Sequence, residues 1–337
     1  MVRFLHTADW QLGMTRHYLA GEAEGRFRQG RIDAIAAMGR LAEQRGCAFA
    51  VVAGDVFDTN QVDRRTLLRA VEALNDFPVP VWLLPGNHDP LDAASVLASD
   101  AFADACADHI GVLAGREPVA GADGVELVGA PWTSKRPVCD LAGAAVADLE
   151  PAGDTVRVLV AHGGVDALAG DHRDPAAIRV DDLEAALAEG RDAQRCDVEA
   201  VSVGGWRFVE LARRVDGPDD VAALAAELDA LPGKERTAVR LELTGTLTLT
   251  QAGELEGVLA DAADRLAALD RPARHDDLHV RPDDGDFSEL ALAGYAAATR
   301  DRLAQLAETG GEQAETAVDA LALLLRLSQR SNPEATP

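Results

Sequence analysis

Four short stretches of the sequence carry side chains of the types that can bind divalent metal ions. Two of them contain spaced motifs, Gly54-Asp55-Val56-Phe57-Asp58 and Gly86-Asn87-His88-Asp89, and the other two supply Asp9 with Gln11, and His162. Carboxylate and amide oxygens beside an imidazole nitrogen suit hard or borderline divalent ions bound next to a phosphate. A two-metal phosphoesterase site needs one carboxylate that bridges ions about 3.5–4 Å apart, with further ligands on each ion. These residue types therefore predict metal-assisted chemistry on a phosphoester.

Each stretch follows an apolar run that has the length and β-branched content of a strand. Ala50–Ala53 and Val81–Leu84 have the pattern of buried strands, and amphipathic helices are predicted over residues 28–46 and 64–77. The first ninety residues therefore have a β-α-β-α-β order. Ligands of open α/β sheets bind in the crevice beyond the carboxyl ends of the strands. We expect the acids and the Asn87-His88 pair to converge there.

The rest of the chain divides into a continuation of this pattern and a second set of elements. The strand Val156–Ala161 delivers His162, and after about residue 215 a further β-α-β-α-β set follows that contains no cluster of potential ligands. The other predicted elements are strands at residues 2–6, 124–131, 198–203, 206–211, 237–249 and 278–280, and helices at 93–110, 180–190, 219–231, 254–269, 287–308 and 312–329.

Composition limits the possible partners. The chain has 57 acidic and 32 basic residues and a formal net charge of −25 at pH 7. This charge argues against a generic basic groove for nucleic acid, and for contact through metal ions, a local patch or a partner subunit. The four cysteines are widely spaced, which favours buried free thiols in a reducing cytosol over a disulfide framework. No apolar run approaches the ~20 residues that cross a bilayer, so no membrane contact is expected.

The order and spacing of the motifs resemble the calcineurin-like metallophosphoesterases, whose motifs run D-x-H, G-D-x-x-D, G-N-H-[DE], a histidine at a strand end, and G-H-x-H. The resemblance covers residues 1–210. It implies an α/β (α+β) fold, in which a two-sheet β-sandwich is flanked by helices and carries the active site along one edge.

The resemblance also implies a role for each matching residue. The implied metal ligands are Asp9, Gln11, Asp55, Asn87 and His162, and the implied catalytic residues are His88 and Asp58. In this assignment Asp55 bridges two ions, and His88 is a catalytic acid that Asp58 orients.

The wording of three stretches, FLHTADWQLG, GDVFDTNQ and LPGNHDP, is similar to one branch of the family, the SbcD nuclease subunits of bacterial SbcC–SbcD DNA repair complexes. This likeness implies Mn²⁺ as the cofactor at both metal positions, with Mg²⁺ as an alternative, DNA as substrate, a homodimer and a cytoplasmic location. It also implies three parts: a nuclease domain over 1–210, a capping domain over 211–285, and C-terminal helices over 286–330 that dock on an SbcC-like ATPase.

Two departures from the family pattern weaken the predicted site. Gln11 occupies the position of the first histidine, although its amide oxygen can still ligate a metal or hold a water. No G-H-x-H occurs, and residues 189–192 run almost directly into 196–198, so a strand–loop–strand segment is missing. The resemblance implies that this segment would supply one histidine to each metal. Because the loss of metal-site partners lowers affinity by factors of ten or more, we predict that the activity of this chain is impaired.

Three hypotheses about function follow from these observations. The first is a metal-dependent DNA nuclease subunit that works with an SbcC-like ATPase. The second is a phosphoesterase for a small phosphodiester or phosphomonoester, which fits the acidic composition but leaves the last part of the chain without a purpose. The third is a non-catalytic scaffold subunit that keeps the fold and the partner helices without a full metal site.

Overall fold

The computed structural model of the chain describes residues 2–19, 21–147, 149–150, 152–166, 174–188, 196–272, 274, 276–281, 294–307, 309, 313–314, 316–317, 320–321 and 323–324. It divides into two compact units. The first comprises Met1–Arg16 and Glu24–Gly205, and the second comprises His17–Ala23 and Trp206–Pro337. The predicted division into functional domains at residues 210 and 285 stays a prediction.

Within these ranges the chain forms eleven strands and eight helices. The strands are β1 (Leu5–Thr7), β2 (Ala50–Ala53), β3 (Val81–Leu84), β4 (Ile110–Val112), β5 (Val119–Ala122), β6 (Val125–Ala130), β7 (Val156–Ala161), β8 (Arg207–Arg214), β9 (Thr237–Thr248), β10 (Ala268–Asp270) and β11 (Asp277–Arg281). The helices are α1 (Glu22–Gln44), α2 (Arg64–Asn75), α3 (Asp100–Ala103), α4 (Leu141–Val146), α5 (Val180–Ala188), α6 (Pro218–Ala230), α7 (Leu249–Arg265) and α8 (Tyr295–Ala307).

The first unit contains two sheets. Strands β1 to β4 form a parallel sheet in chain order, and the second sheet has the order β5-β6-β7, with β6 parallel to β7 and antiparallel to β5. In the first sheet Leu5 pairs with Ala50, and Ala50 pairs with Val81. The carboxyl ends of β1, β2 and β3 therefore meet at one edge, as the sequence predicts.

Successive side chains of a strand point to opposite faces of the sheet, so the strands contribute to two separate layers of the core. Ala50 and Val52 of β2 belong to the core under helices α1 and α2, whereas Val51 and Ala53 belong to the core between the two sheets. Leu127 of β6 is fully buried in the same inter-sheet core, and the other face of β6 packs against α4. The predicted two-sheet β-sandwich flanked by helices is confirmed.

The helix predicted over residues 93–110 is wrong. This segment forms the short α3 and then β4. The Asp92 side chain accepts a hydrogen bond from the amide of Ala94, and the Ser99 side chain accepts one from the amide of Phe102. Such local side-chain bonds compete with the helical backbone ladder, so a helix begins only at Asp100. Strands β4 and β5 are absent from the sequence prediction because each is short.

The strand predicted over residues 198–203 is also wrong. Residues 196–205 form no regular structure, and Val198 is 89% exposed. The segment is attached to the first unit by an ion pair of Glu199 with Arg45 (2.8 Å) and by Val203, which packs on the helix-side core. An apolar run forms a strand only where a neighbouring strand completes its hydrogen bonds, and the described residues provide none here.

The second unit is organised around β9, which pairs in parallel with β8, β10 and β11. Helix α7 begins at a capping box in which the Thr248 hydroxyl accepts from the amide of Gln251 and the Gln251 side chain accepts from the amide of Thr248. Leu241 and Leu243 of β9 are fully buried beneath α6 and α7. The second β-α-β-α-β order predicted from the sequence is therefore present.

The C-terminal predictions are covered only in part. Helix α8 lies within the helix predicted over 287–308, whereas most of the helix predicted over 312–329 lies outside the described residues. No helix in the described ranges combines the length and apolarity needed to cross a membrane. All four cysteines are free, but the expected burial is wrong: Cys47 and Cys106 are half-buried, and Cys139 and Cys196 are exposed in loops outside the sandwich.

Candidate metal centre

The loops after β1 and β2 run side by side beyond the edge of the sheet. The amide of Asp9 donates to the carbonyl of Gly54 (3.1 Å), and the amide of Gln11 donates to the carbonyl of Asp55 (2.8 Å). These bonds extend the parallel pairing of the two strands past their ends. The two acidic motifs are therefore held together by their main chains, before any ligand is considered.

Three residues of these loops have a left-handed backbone. Asp9 and Asp55 both have φ of 55°, and Gln11 has φ of 43°. Aspartate tolerates this region better than most residues, but such conformations cost about 1–3 kcal/mol each and persist where the surrounding structure imposes them. The hydrogen bonds between the loops impose them here, and their concentration at one point marks a functional site.

Two glycines allow the ligand groups to approach each other. A Cβ on Gly54 would lie 2.3 Å from the His162 ring, and a Cβ on Gly86 would lie 2.1 Å from Oδ1 of Asp55. Neither position can therefore hold a side chain without displacing one of these groups. The glycines of the G-D-x-x-D and G-N-H-D motifs are thus required by the site itself.

The structure brings together four of the predicted ligands. Asp9, Asp55 and His162 offer ligand atoms that all lie within 4.8 Å of one another. Nε2 of His162 lies 3.5 Å from Oδ1 of Asp55 and 3.0 Å from Oδ1 of Asn87. Asp55 is only 2% exposed, whereas Asp9 faces solvent. The ligand atoms therefore line a site that is buried on one side and open on the other.

The hydrogen bonds of His162 leave one ring nitrogen available to a cation. Its Nδ1 donates to the backbone carbonyl of Ala53 at 2.9 Å, so in the neutral ring Nε2 carries no proton. Nε2 then faces two acceptor oxygens, those of Asn87 and Asp55. This arrangement is favourable only when a proton or a metal ion lies between the nitrogen and the oxygens.

The charges of Asp55 and His162 stabilise each other. Burial raises the pKa of Asp55, but the contact with His162 and the hydrogen bond from the His88 amide (2.9 Å) outweigh it, and the pKa lies below the usual 3.8. Burial lowers the pKa of His162, but the contact with Asp55 outweighs it and holds the pKa above 6.5. In metal-free protein Asp55 is therefore ionised and His162 protonated at pH values between the two pKa values, so the two side chains form an ion pair.

His88 stands next to the ligand cluster, with its ring held by a backbone group. Its Nδ1 donates to the carbonyl of Asp58 at 2.9 Å, while the Asp58 carboxylate lies farther away, at 3.7 Å. The orienting bond predicted for the Asp58 side chain is thus made by the Asp58 main chain. Nε2 of His88 lies 3.9 Å from Oδ2 of Asp55, on the side of the metal ligands.

The side chain of Gln11 has no such defined position. Its amide donates to Asp55, and its carbonyl accepts from Arg31 at 2.6 Å, but no hydrogen bond of its side chain occurs within the described ranges. The structure therefore fixes the backbone of Gln11 as a scaffold for Asp55, and its role as a ligand stays a prediction.

Two residues support the site in ways that the sequence did not predict. Asp89 is fully buried and accepts from the amides of Phe57 (3.0 Å) and Gly86 (2.8 Å), so it joins the two motif loops, and burial raises its pKa. The indole of Trp132 donates to the carbonyl of His162 at 2.8 Å. The signal for Asp89 was its place in the motif, but only the fold shows that a buried carboxylate there has two amide partners.

The donor set fits a divalent cation. It combines two carboxylates, an amide oxygen and an imidazole whose other nitrogen is hydrogen-bonded to a carbonyl. Oxygen and imidazole donors suit Mn²⁺, Mg²⁺ and Zn²⁺ in protein sites, and the Nδ1–carbonyl bond is the usual support of a metal-binding histidine. Asp9 and Asp55 would hold one ion position, and Asn87 and His162, with Asp55, the other.

Gly86→Ala is expected to weaken metal binding by about tenfold or more, because its methyl group would displace Asp55. Gly164→Ala is the matched control, since a Cβ there meets nothing within 4 Å. Isothermal titration of each variant with Mn²⁺ measures the effect. Equal affinities for the two variants would contradict the role assigned to the close approach of Gly86.

In the metal-free protein, His162 is expected to titrate above 6.5. Because its folded-state pKa is raised, it stabilises the fold at low pH, and this contribution is lost as pH rises through the raised pKa. Asp55, with a lowered pKa, stabilises the fold above pH 3.8, and this stabilisation is lost as pH falls below that value.

Asp55→Asn should lower the His162 pKa, because burial then dominates. Nitrogen-15 NMR titration of the ring tests this, and an unchanged pKa in the variant would disprove the pairing.

Comparison with known protein families agrees with this geometry. The calcineurin-like phosphoesterase profile matches residues 2–227, which is more than half of the chain and includes every residue of the centre. A search of curated proteins gave no significant match, so the finer likeness to SbcD subunits stays a prediction. The chain belongs to the calcineurin-like phosphoesterase family, a family of metal-dependent phosphoester hydrolases.

Proposed function

We propose that this chain is a nuclease subunit that hydrolyses phosphodiester bonds of DNA at the metal centre. The observation that carries the proposal is the convergence of Asp55, Asn87 and His162 with His88 at the open edge of the sheet. Divalent ions held there supply charge stabilisation for phosphoryl oxygens and activation of a water molecule.

The contribution of His88 follows from its hydrogen bonds. Because Nδ1–H is engaged by the Asp58 carbonyl, only the doubly protonated ring has a second proton, on Nε2. Nε2 lies on the side of Asp55, and the His88 side chain is 37% exposed. In its doubly protonated form His88 can therefore donate the Nε2 proton to a leaving oxygen that approaches from solvent.

DNA as the substrate, with Mn²⁺ as the ion, is supported by the sequence similarity of the three motif stretches to SbcD subunits. A nuclease subunit of this kind binds an SbcC-like ATPase and a second copy of itself. The second unit and the predicted terminal helices are the parts of the chain that would be available for these contacts. A net charge of −25 repels nucleic acid in general. Binding must therefore depend on the metal ions, on a local basic surface or on the partner.

A non-catalytic scaffold is the second candidate, and one observation favours it. Within the described ranges, Asp9, Asp55 and His162 are the one cluster of carboxylate, histidine and cysteine side chains with metal-binding spacing. In the chain region where the family has its histidine pair, the described residues form α5 and the irregular segment 196–205. A subunit of this kind would retain the fold and bind a partner without cleaving DNA.

Metal content separates the two candidates. After dialysis against Mn²⁺, elemental analysis of a catalytic protein should give nearly two ions per chain, with a clear loss in Asp55→Asn. Asp123→Asn is the matched control, because Asp123 is an exposed acid in the turn between β5 and β6. A nuclease assay on DNA follows, beside a chromogenic phosphodiester. One ion or none, without DNA cleavage, would support the scaffold, and cleavage of the small ester alone would support a small-substrate enzyme.

His88→Asn is expected to lower the rate of phosphodiester cleavage by about 10²–10⁴-fold without changing the metal content. Asp58→Asn should have a much smaller effect, because the bond that orients His88 comes from the Asp58 main chain. Steady-state kinetics of both variants with Mn²⁺ measure the difference. If Asp58→Asn were as damaging as His88→Asn, the Asp58 carboxylate would have a direct role that this geometry does not give it.

A further inference from the structure

A basic loop lies beside the metal centre. Residues 133–139 connect β6 to α4, and the loop is anchored at both ends. At its start, the Trp132 indole donates to the carbonyl of His162, and the two rings meet edge to face with centroids 6.2 Å apart. At its end, Asp140 caps α4 by accepting from the amide of Gly143 at 3.0 Å. The loop is therefore fixed next to a metal ligand.

The loop carries two adjacent cations, Lys135 and Arg136. Both are exposed, and neither forms an ion pair within the described ranges. Other arginines of the same unit do find acidic partners, as Arg157 does with Glu126 at 2.6 Å. Lys135 and Arg136 are thus two neighbouring exposed cations without an acidic partner in a chain of net charge −25.

The position of these cations suits a polymeric phosphate. Lys135 follows Trp132 by three residues, and an extended chain of that length spans at most about 10 Å. One strand of duplex DNA carries a phosphate about every 3.4 Å along its axis. A strand whose scissile phosphate lies at the metal centre has several further phosphates within the distance that separates Trp132 from this part of the loop.

We propose that Lys135 and Arg136 bind the phosphate backbone of the DNA strand whose phosphodiester bond lies at the metal centre. The proposal rests on the proposed function and adds the local basic surface that an acidic chain requires. The guanidinium of Arg136 can contact phosphate oxygens in a bidentate manner, and Lys135 acts as a point charge. Val138, which is 87% exposed, places an apolar group on the same loop, where it can contact a sugar or base.

The test compares DNA binding by the full chain and by Lys135→Ala/Arg136→Ala. Fluorescence anisotropy with a labelled duplex, in Mn²⁺ and at several salt concentrations, should show weaker binding and a decrease of roughly 2 in the slope of log K against log salt. Hydrolysis of a chromogenic phosphodiester should be unchanged, because that substrate has no neighbouring phosphates. The single variant Arg136→Lys, which keeps Lys135, should bind DNA more tightly than the double alanine variant.

Arg3→Ala/Arg40→Ala is the matched control. Both arginines are exposed, and they lie at the end of the first sheet opposite to the metal centre. Equal DNA affinity and salt slope in the loop variant and this control, with good binding by the unchanged chain, would overturn the loop assignment alone. Failure of the unchanged chain to bind DNA would overturn the proposed substrate as well. Binding lost only in the loop variant supports the proposal.

Discussion

The structure of the first unit depends on the buried carboxylate of Asp55. This group is 2% exposed, its backbone is left-handed, and it is compensated by the ring of His162 and the amide of His88. A buried charge without such partners would be strongly unfavourable. The loops that bring these partners belong to β2, β3 and β7, so strands of both sheets must end at the same place for this carboxylate to be ionised.

This requirement explains the glycines and the second buried acid. Gly54 and Gly86 leave the space in which His162 and Asp55 lie. Asp89 joins the loops of the two motifs by accepting hydrogen bonds from a backbone amide of each. Each of these features weakens the first unit when considered alone, since glycine is flexible and a buried acid is unfavourable. Together they hold oxygen and nitrogen atoms at distances that a cation can bridge, which is the arrangement of preorganised sites.

The strands and the position of the site were predictable from the sequence, whereas the support of each side chain was not. An uninterrupted run such as Ala50–Ala53, stopped by Gly54-Asp55, has few other interpretations, so β2 and the convergence at its end were predicted. The left-handed backbone of Asp9, the carbonyl of Asp58 that holds His88, and the two amides bound by Asp89 depend on contacts between distant segments. The helix predicted over 93–110 failed for the opposite reason, because local side-chain bonds overrode a composition that favours helix.

The absence of the family's histidine pair affects the two ion positions differently. The position near His162 is built from a buried carboxylate, an amide oxygen and an imidazole fixed by Ala53. The other position has exposed Asp9 and Asp55, and the side chain of Gln11, which the sequence predicts as a further ligand, has no hydrogen bond within the described ranges. We therefore expect the first position to bind an ion by itself. The position with Asp9 has fewer buried ligands, so we expect it to bind a second ion with lower affinity.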